Sequence, residues 1–410
     1  MSPLKQHKKI GDQISSGFQN GIYKHADEYS DDGTCIIRIN DYGNDGTKRF
    51  ECLRRVRLSA SEIDRFSLKR NDILINRVNS LSHIGKSCIV EKLEDTTVFE
   101  SNMMRLRLTK SSGISPEYLF IVLNSVRVRD YLRKVAKPAV AQASINQEDI
   151  MSLAAYLPSL QQQTAIASLI FTWDLAIEKN EQLIEAKWRQ LNALTQNLLT
   201  GNKRIKGYVE KWRKYRLSEV LTEHREVSSG YEEVYSVSVH KGLINQVEHL
   251  GRVFAAKDTS NYNLVKPGDV VYTKSPTGDF PYGIVKQSRI DFSVIVSPLY
   301  GVFTARSQQL GTFLNFYFES PVRTANYLLP IIQKGAKNTI NITNTTFLSN
   351  SLYLPSCDEE TEAIAAILTT ARQEIDLLKK QAEAYRRQKR GLMQRLLTGE
   401  WRVMTSKENS

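Results

Sequence analysis

The sequence predicts a mixed α/β protein in a tandem-duplicated, pseudo-symmetric arrangement: two globular domains joined by two long, antiparallel coiled-coil helices. Three observations predict it. The signature Leu198-Leu199-Thr200-Gly201 recurs as Leu396-Leu397-Thr398-Gly399, an offset of 198 residues. Each copy closes a long stretch whose apolar residues step by four and three, the seam of a coiled coil. Each stretch follows a segment of short β-like runs broken by Gly, Asn, Asp and Ser loops.

The repeat extends beyond its signature. At the same offset Ile166-Ala167 meets Ile364-Ala365, Glu185-Ala186 meets Glu383-Ala384, and Arg204 meets Arg402. Just upstream the offset is 197, where Tyr156-Leu157-Pro158-Ser159 recurs as Tyr353-Leu354-Pro355-Ser356. In the globular parts, Lys69-Arg70-Asn71-Asp72-Ile73 parallels Lys266-Pro267-Gly268-Asp269-Val270, and Ile145-Asn146-Gln147 parallels Ile342-Thr343-Asn344. Helices that stay alike on heads that diverge suit one frame that reads two different things. The boundaries follow: a globular domain over 1–156, a spacer helix over 157–202, a second globular domain over 203–353 and a second spacer helix over 354–403.

The first seam runs Ile166, Ile170, Trp173, Ile177, Ile184, Leu191, Leu194 and Leu198, with Asn180 and Lys187 completing the step. The second runs Ile364, Leu368, Ala371, Ile375, Leu378, Ala382, Tyr385, Lys389, Leu392 and Leu396. Proline near each start and glycine just past each end are helix start and stop signals. About 40 residues at roughly 1.5 Å each make a rod of roughly 60 Å. One small domain cannot cover such a stripe, so the two stripes are expected to cover each other within the chain, where both are at high local concentration; the alternative is that they pair two chains. Asn180 and Lys187 read as register devices.

The heads read as mixed α/β. Strand-like runs are Cys35–Ile39, Asp72–Ile75, Ser87–Val90, Val234–Val239, Asp269–Tyr272 and Ser293–Val296. One helical stretch is expected in each head, near Pro116–Val135 and Leu310–Leu329. The four cysteines, Cys35, Cys52, Cys88 and Cys357, form no C-x-x-C pair and read as buried free thiols of a reducing cytoplasm. The lysine-rich start carries no apolar segment of a secretory leader, and no apolar run suggests a membrane span.

Charge points to the partner. A net charge of +12 and a pI near 9.3 favour an anionic surface, nucleic acid above all. The loop residues are of the types that reach phosphates and base edges. In the first head the candidates are Arg38, Asn40, Asn76, Arg77, Asn79, Lys86, Gln142 and Ser144. In the second they are His240, Lys241, Lys274, Ser275, Lys337, Asn338 and Thr339. A basic run from Lys203 to Arg216, and Arg386 to Arg390 in the second helix, either touch phosphate or complement a helix end.

Catalytic signatures are missing from the sequence. It holds no G-x-x-x-x-G-K-[ST] loop, no paired-His metal motif and no G-x-S-x-G elbow. Asp279-Phe280-Pro281-Tyr282 approaches the Asn/Asp-Pro-Pro-aromatic methyltransferase motif but lacks its second proline. No catalytic residue and no metal site are assigned.

The order globular–helix–globular–helix resembles the specificity subunit of a type I restriction–modification system over nearly the whole chain. The features that carry the resemblance are the Leu-Pro-Ser lead-in, the polar helix starts Gln161-Gln162-Gln163 and Asp358-Glu359-Glu360, the Ile-Ala step and the Leu-Leu-Thr-Gly exit. In the first head, Lys-x-x-Asp-Ile-Leu before Asn76-Arg77, with Ile37-Arg38, is similar to family target-recognition domains. The second head departs more, with Val270-Val271-Tyr272 as its strand. The resemblance implies a cytoplasmic, non-enzymatic reader of double-stranded DNA with two target-recognition domains, one for each half of a bipartite target. It implies two methyltransferase subunits docked on heads and helices, and restriction subunits joining them. S-adenosylmethionine, ATP and magnesium would then belong to those partners. The competing expectations are a DNA-binding coiled-coil scaffold of another complex and an enzyme whose site lacks a known signature.

Overall fold

A computed structural model describes residues 7–14, 17–44, 48, 50, 52–140, 142–246, 258–334 and 340–404. The chain divides into two compact units, Met1–Asn180 with Gln381–Ser410, and Glu181–Lys380. Two long helices, Leu160–Leu198 and Asp358–Thr398, of 39 and 41 residues, contribute a part to each unit.

In the first unit a four-stranded antiparallel sheet is ordered Phe18–Asn20, Met103–Leu106, Ile73–Asn76, Ser87–Ile89. The second unit repeats it as Leu221–Glu223, Gly301–Ala305, Val270–Thr273, Ile284–Gln287. Each unit closes its head with a strand pair beside a long helix: His7–Lys9 on Ala154–Tyr156, and Arg213–Arg216 on Ser351–Leu354. The duplication read from the helices therefore reaches the strand order of the heads.

The matched Lys-x-x-Asp segments make the same turn. Asp72 accepts the Lys69 N–H at 2.7 Å and Asp269 the Lys266 N–H at 2.7 Å. The residue before each aspartate, Asn71 or Gly268, has a positive φ, 70° or 86°, a conformation that favours Gly and Asn. Both carboxylates are buried and so must be paired. Arg107 holds Asp72 with two bonds of 2.6 Å, whereas Asp269 takes His224 and Thr304, each at 2.8 Å.

The single helical stretch expected in each head is split into two short helices. Pro116–Leu123 and Val126–Val135 lie in the first, Gln308–Phe318 and Pro321–Leu328 in the second. The break is chemical: the Ser125 and Ser320 side chains cap new helices, accepting from Val128 N and Arg323 N. Pro321 can only start a helix, because it lacks the N–H that an interior position needs. The matched Ile-Asn and Ile-Thr pairs likewise end in caps, with Asn146 and Thr343 accepting from Asp149 N and Thr346 N.

The long helices pack into the cores of the heads as well as on each other. In the first unit Ile166, Ile170 and Leu396 join Tyr118, Leu119 and Ile150, with Leu392 at the margin. Trp173 meets Tyr385 edge-to-face at 5.7 Å, Asn180 Nδ2 donates to Gln381 Oε1 at 2.8 Å, and Lys389 pairs with Asp174. Partners descend on one helix as they ascend on the other, so the pairing is antiparallel. In the second unit Leu191, Leu198, Ile364, Leu368 and Ile375 join Phe313, Phe316 and Phe347, with Ile184 and Leu194 partly buried. Lys187 meets Glu374 at 2.7 Å. Ile177 and Leu378 are half-buried. The glycines that end both helices have positive φ, 71° at Gly201 and 76° at Gly399, the usual helix stop. A Cβ on Gly399 would lie 2.7 Å from the Tyr156 ring.

The thiols depart from expectation. All four are free, but only Cys35 and Cys88 are buried; Cys52 is exposed and Cys357 intermediate. Cys52 lies in a turn rather than a strand. Among the described residues no helix is long and apolar enough to cross a membrane, and no group of three His, Cys, Asp or Glu is placed to hold a metal.

Candidate nucleic-acid interface

In the first unit the central strand Ile73–Asn76 runs directly into Arg77. The two residues after it, Val78-Asn79, pair with Ser144 and Ala143, and these pair in turn with Lys137-Pro138. One small three-stranded sheet thus brings Arg77, Asn79, Gln142 and Ser144 together across more than 60 residues of sequence. Arg77 is half-buried and donates to the Ser101 carbonyl at 3.3 Å. Asn79 accepts from Ser80 N at 2.8 Å, and Gln142 is exposed. Two residues absent from the candidate set share this sheet's hairpin: Lys137 is exposed, and Val140 at its tip has 110% relative exposure.

Arg38 and Asn40 leave the strand Tyr29–Ile37 on a neighbouring loop. The loop is held by its own acids. Asp41 accepts the Arg38 N–H at 2.7 Å and faces its guanidinium at 3.5 Å, and Glu100 accepts from Ile39 N at 2.6 Å. Burial raises the Glu100 pKa. Asn40 is exposed and Arg38 half-buried.

Two first-head candidates do not reach the surface. Lys86 is buried; its ammonium donates to the Ile39 and Tyr42 carbonyls at 2.5 and 2.7 Å and lies 4.6 Å from the Tyr42 ring centroid. Asn76 is fully buried and accepts from the Tyr42 hydroxyl. A buried ammonium needs such acceptors, so both residues hold the loop that presents Arg38 and Asn40. Arg129 does the same from the helix Val126–Val135, donating to Asn44 Oδ1 at 3.2 Å and the Ser82 carbonyl at 3.4 Å. Burial pushes its pKa down to about 10. Sequence alone gave no signal for it, because it reads as one more arginine on a basic helix.

In the second unit His240 and Lys241 are exposed in the turn between Tyr235–Ser238 and Gly242–Asn245. Lys274 and Ser275 leave the central strand Val270–Thr273, as Arg77 leaves its counterpart. Lys274 is half-buried, and burial lowers its pKa; Ser275 is exposed. Lys337, Asn338 and Thr339 lie outside the described residues. The flanking pairs Gln333-Lys334 and Ile340-Asn341 form two antiparallel strands. Asp279-Phe280-Pro281-Tyr282 makes a tight turn, with Phe280 buried and the Tyr282 carbonyl accepting from Tyr272 at 2.8 Å.

Part of the basic run is structural. Arg204 is committed to the buried carboxylate of Glu360, which also accepts from Trp212 Nε1 at 3.1 Å. Each head thus presents polar loops at the end of a central sheet strand, on matched scaffolds with unmatched side chains.

Comparison with known proteins points the same way as the sequence resemblance. The model of the type I restriction modification DNA specificity domain matches residues 5–187. The chain is 26% identical over 367 residues to the putative type I restriction enzyme MjaX specificity subunit of Methanocaldococcus jannaschii, across 85% of this chain and 82% of that protein. Residues 5–187 thus match the specificity-domain family, and the chain over most of its length is similar to a type I specificity subunit. The chain is 27% identical over 195 residues to the EcoKI specificity subunit of Escherichia coli, covering 47% of this chain and 41% of that one. It is 29% identical over 181 residues to the StySPI subunit of Salmonella potsdam, covering 44% and 38%. The chain therefore spans about two fifths of the length of those two relatives. In fold, it is similar to a type I S subunit from M. genitalium, with a TM-score of 0.57 at 12% identity over 97% of this chain and 96% of that one. It is also similar to the HsdS subunit from Thermoanaerobacter tengcongensis, with a TM-score of 0.50 at 13% identity over 96% and 97%.

Proposed function

We propose that this chain is the DNA-reading subunit of a type I restriction–modification complex and is itself non-catalytic. Each globular head reads one half of a bipartite double-stranded target. The two long helices set the distance between the halves and, with the heads, dock two methyltransferase subunits in the cytoplasm. Restriction subunits join that core. S-adenosylmethionine, ATP and magnesium are bound by the partners.

The observation that carries the reading is the pairing of sameness and difference in one chain. The two heads repeat one strand order in their four-stranded sheets, yet the residues leaving the central strands are Arg77-Val78 in one and Lys274-Ser275 in the other. Two short half-sites gain specificity by being combined. They do so at high effective concentration only when the spacer matches their separation.

The reading is tested by exchanging the second head, residues 203–353, for that of another specificity chain in a host carrying the complete system. The methylated motif is then read by sequencing. One half of the motif should change and the other persist. Loss of both halves would refute independent reading heads, and failure of the chain to co-purify with methyltransferase subunits would refute the assembly.

A further inference from the structure

In the second unit Glu319 caps the C-terminal end of the helix Gln308–Phe318. Two cations share its carboxylate. Lys286, on the terminal sheet strand Ile284–Gln287, stands 3.6 Å from one oxygen, and Arg372 of the second long helix donates to the other at 2.7 Å. The same guanidinium carbon lies 4.9 Å from the ring centroid of Trp188 on the first long helix and 5.5 Å from that of Phe316 in the head. Lys379 reaches the other part of this cluster, 5.0 Å from the Trp188 ring. A sheet strand, a head helix and both long helices therefore meet at one arginine. Only a planar guanidinium can donate in its plane to a carboxylate while its faces stack on rings.

The first unit is built differently at the matching place. The cap of Pro116–Leu123 is Asn124, which donates to Ser87 Oγ at 2.9 Å on the terminal strand Ser87–Ile89. That link is neutral. The residue 198 positions before Arg372 is the acidic Asp174, which pairs with Lys389 along the helices. The two long helices share the Ile-Ala step and the Leu-Leu-Thr-Gly exit, so an ionic node in the second unit that is absent, among the described residues, from the matching place in the first marks a task that the second head carries out on its own helices.

We propose that Arg372 is a positioning residue that holds the second head at one angle on its helix pair, so that the second half-site is read at a single distance from the first. The inference rests on the bipartite reading above. The node combines a short ion pair with two ring faces, and its members come from elements that must not slide if the read-out distance is to stay fixed. A head held only by its apolar face can rock, because dispersion and apolar burial are not directional. The guanidinium–carboxylate geometry is directional and removes that freedom.

The test uses the complete system in its host, with wild-type, Arg372→Met and Glu319→Gln chains, and reads methylated motifs across the genome. Both variants should keep both half-sites but relax the spacer. Methylation at sites one base pair longer or shorter should rise about tenfold relative to the main spacer, equivalent to a change of about 1.4 kcal/mol. Should Arg372→Met not fold, Glu319→Gln, which preserves shape, carries the comparison alone. A single unrelaxed spacer in a folded variant overturns the proposal. A wild-type assembly that methylates no two-part motif instead overturns the bipartite reading, so the two failures are distinct.

Discussion

Arg204 donates from Nε and Nη2 to the two carboxylate oxygens of Glu360, at 2.6 and 2.7 Å, within the second unit. The arginine follows the exit of the first long helix, and the glutamate sits in the first turn of the second. The Glu360 carboxylate is essentially inaccessible, at 1% side-chain exposure, while Arg204 is partly exposed. The bond is thus a closure between two helix ends rather than a surface ion pair.

Breaking that closure from one side leaves a buried charge without a partner. Arg204→Met should destabilise the second unit by about 3 kcal/mol, the lower part of the range for a broken buried pair, because Arg204 is partly hydrated. Glu360→Gln, which keeps a hydrogen-bonding group, should cost less. Urea unfolding of the two variants measures both, and midpoints equal to that of the wild type would show that the pair does not stabilise the second unit.

Lys86 and Lys137 should separate structure from contact. Lys86→Met loses two carbonyl bonds and loosens the loop of Arg38 and Asn40, so it should lower the stability of the first head. Lys137→Ala, exposed on the small sheet, should leave stability unchanged. It should reduce the salt dependence of DNA binding by about one phosphate contact. Melting curves and binding titrations at several salt concentrations distinguish them.

Gln142 and Asn40 are the exposed amide candidates of the first head. Alanine at either should relax recognition in the first half-site only, at a cost of about 1–3 kcal/mol if a bidentate base contact is lost. Competition binding with targets changed in one half at a time is the measurement. Equal losses across both halves would show a backbone contact instead.

Asn180 should exchange stability for register. Its amide faces Gln381 within the helix pair of the first unit, a position where leucine would bury more apolar surface. Asn180→Leu should raise the melting temperature yet permit helix pairings that the asparagine excludes. Cross-linking of cysteines introduced along both helices reports the register.

Thiol chemistry checks the head core directly. Burial pushes the Cys88 thiol up to about 12, and Cys52 is exposed. Iodoacetamide at neutral pH should label Cys52 in the folded chain and leave Cys88 unlabelled, since only the thiolate reacts. Peptide mass spectrometry reads the result.

The long helices, the strands and the duplication were legible in the sequence because each is written locally. A four-three apolar step, a Leu-Leu-Thr-Gly exit and an aspartate three residues after a lysine mark their own conformations. Those signals need no knowledge of the rest of the chain. The split of the head helices is also written locally, in Ser125 and in Ser320-Pro321, residues that cap or start a helix.

Sequence by itself determined that this protein is one frame used twice, with like helices, unlike heads and a basic surface. Tertiary structure alone decided which polar residues face outward. Lys86 and Asn76 look identical in kind to Lys137 and Asn79, yet the first pair is sealed beneath a loop while the second lies on the small sheet with Gln142. The reason is physical. Periodicity and capping act over a few residues, whereas burial depends on which distant strands pair, and Asn79 meets Ala143 only once the whole head has closed.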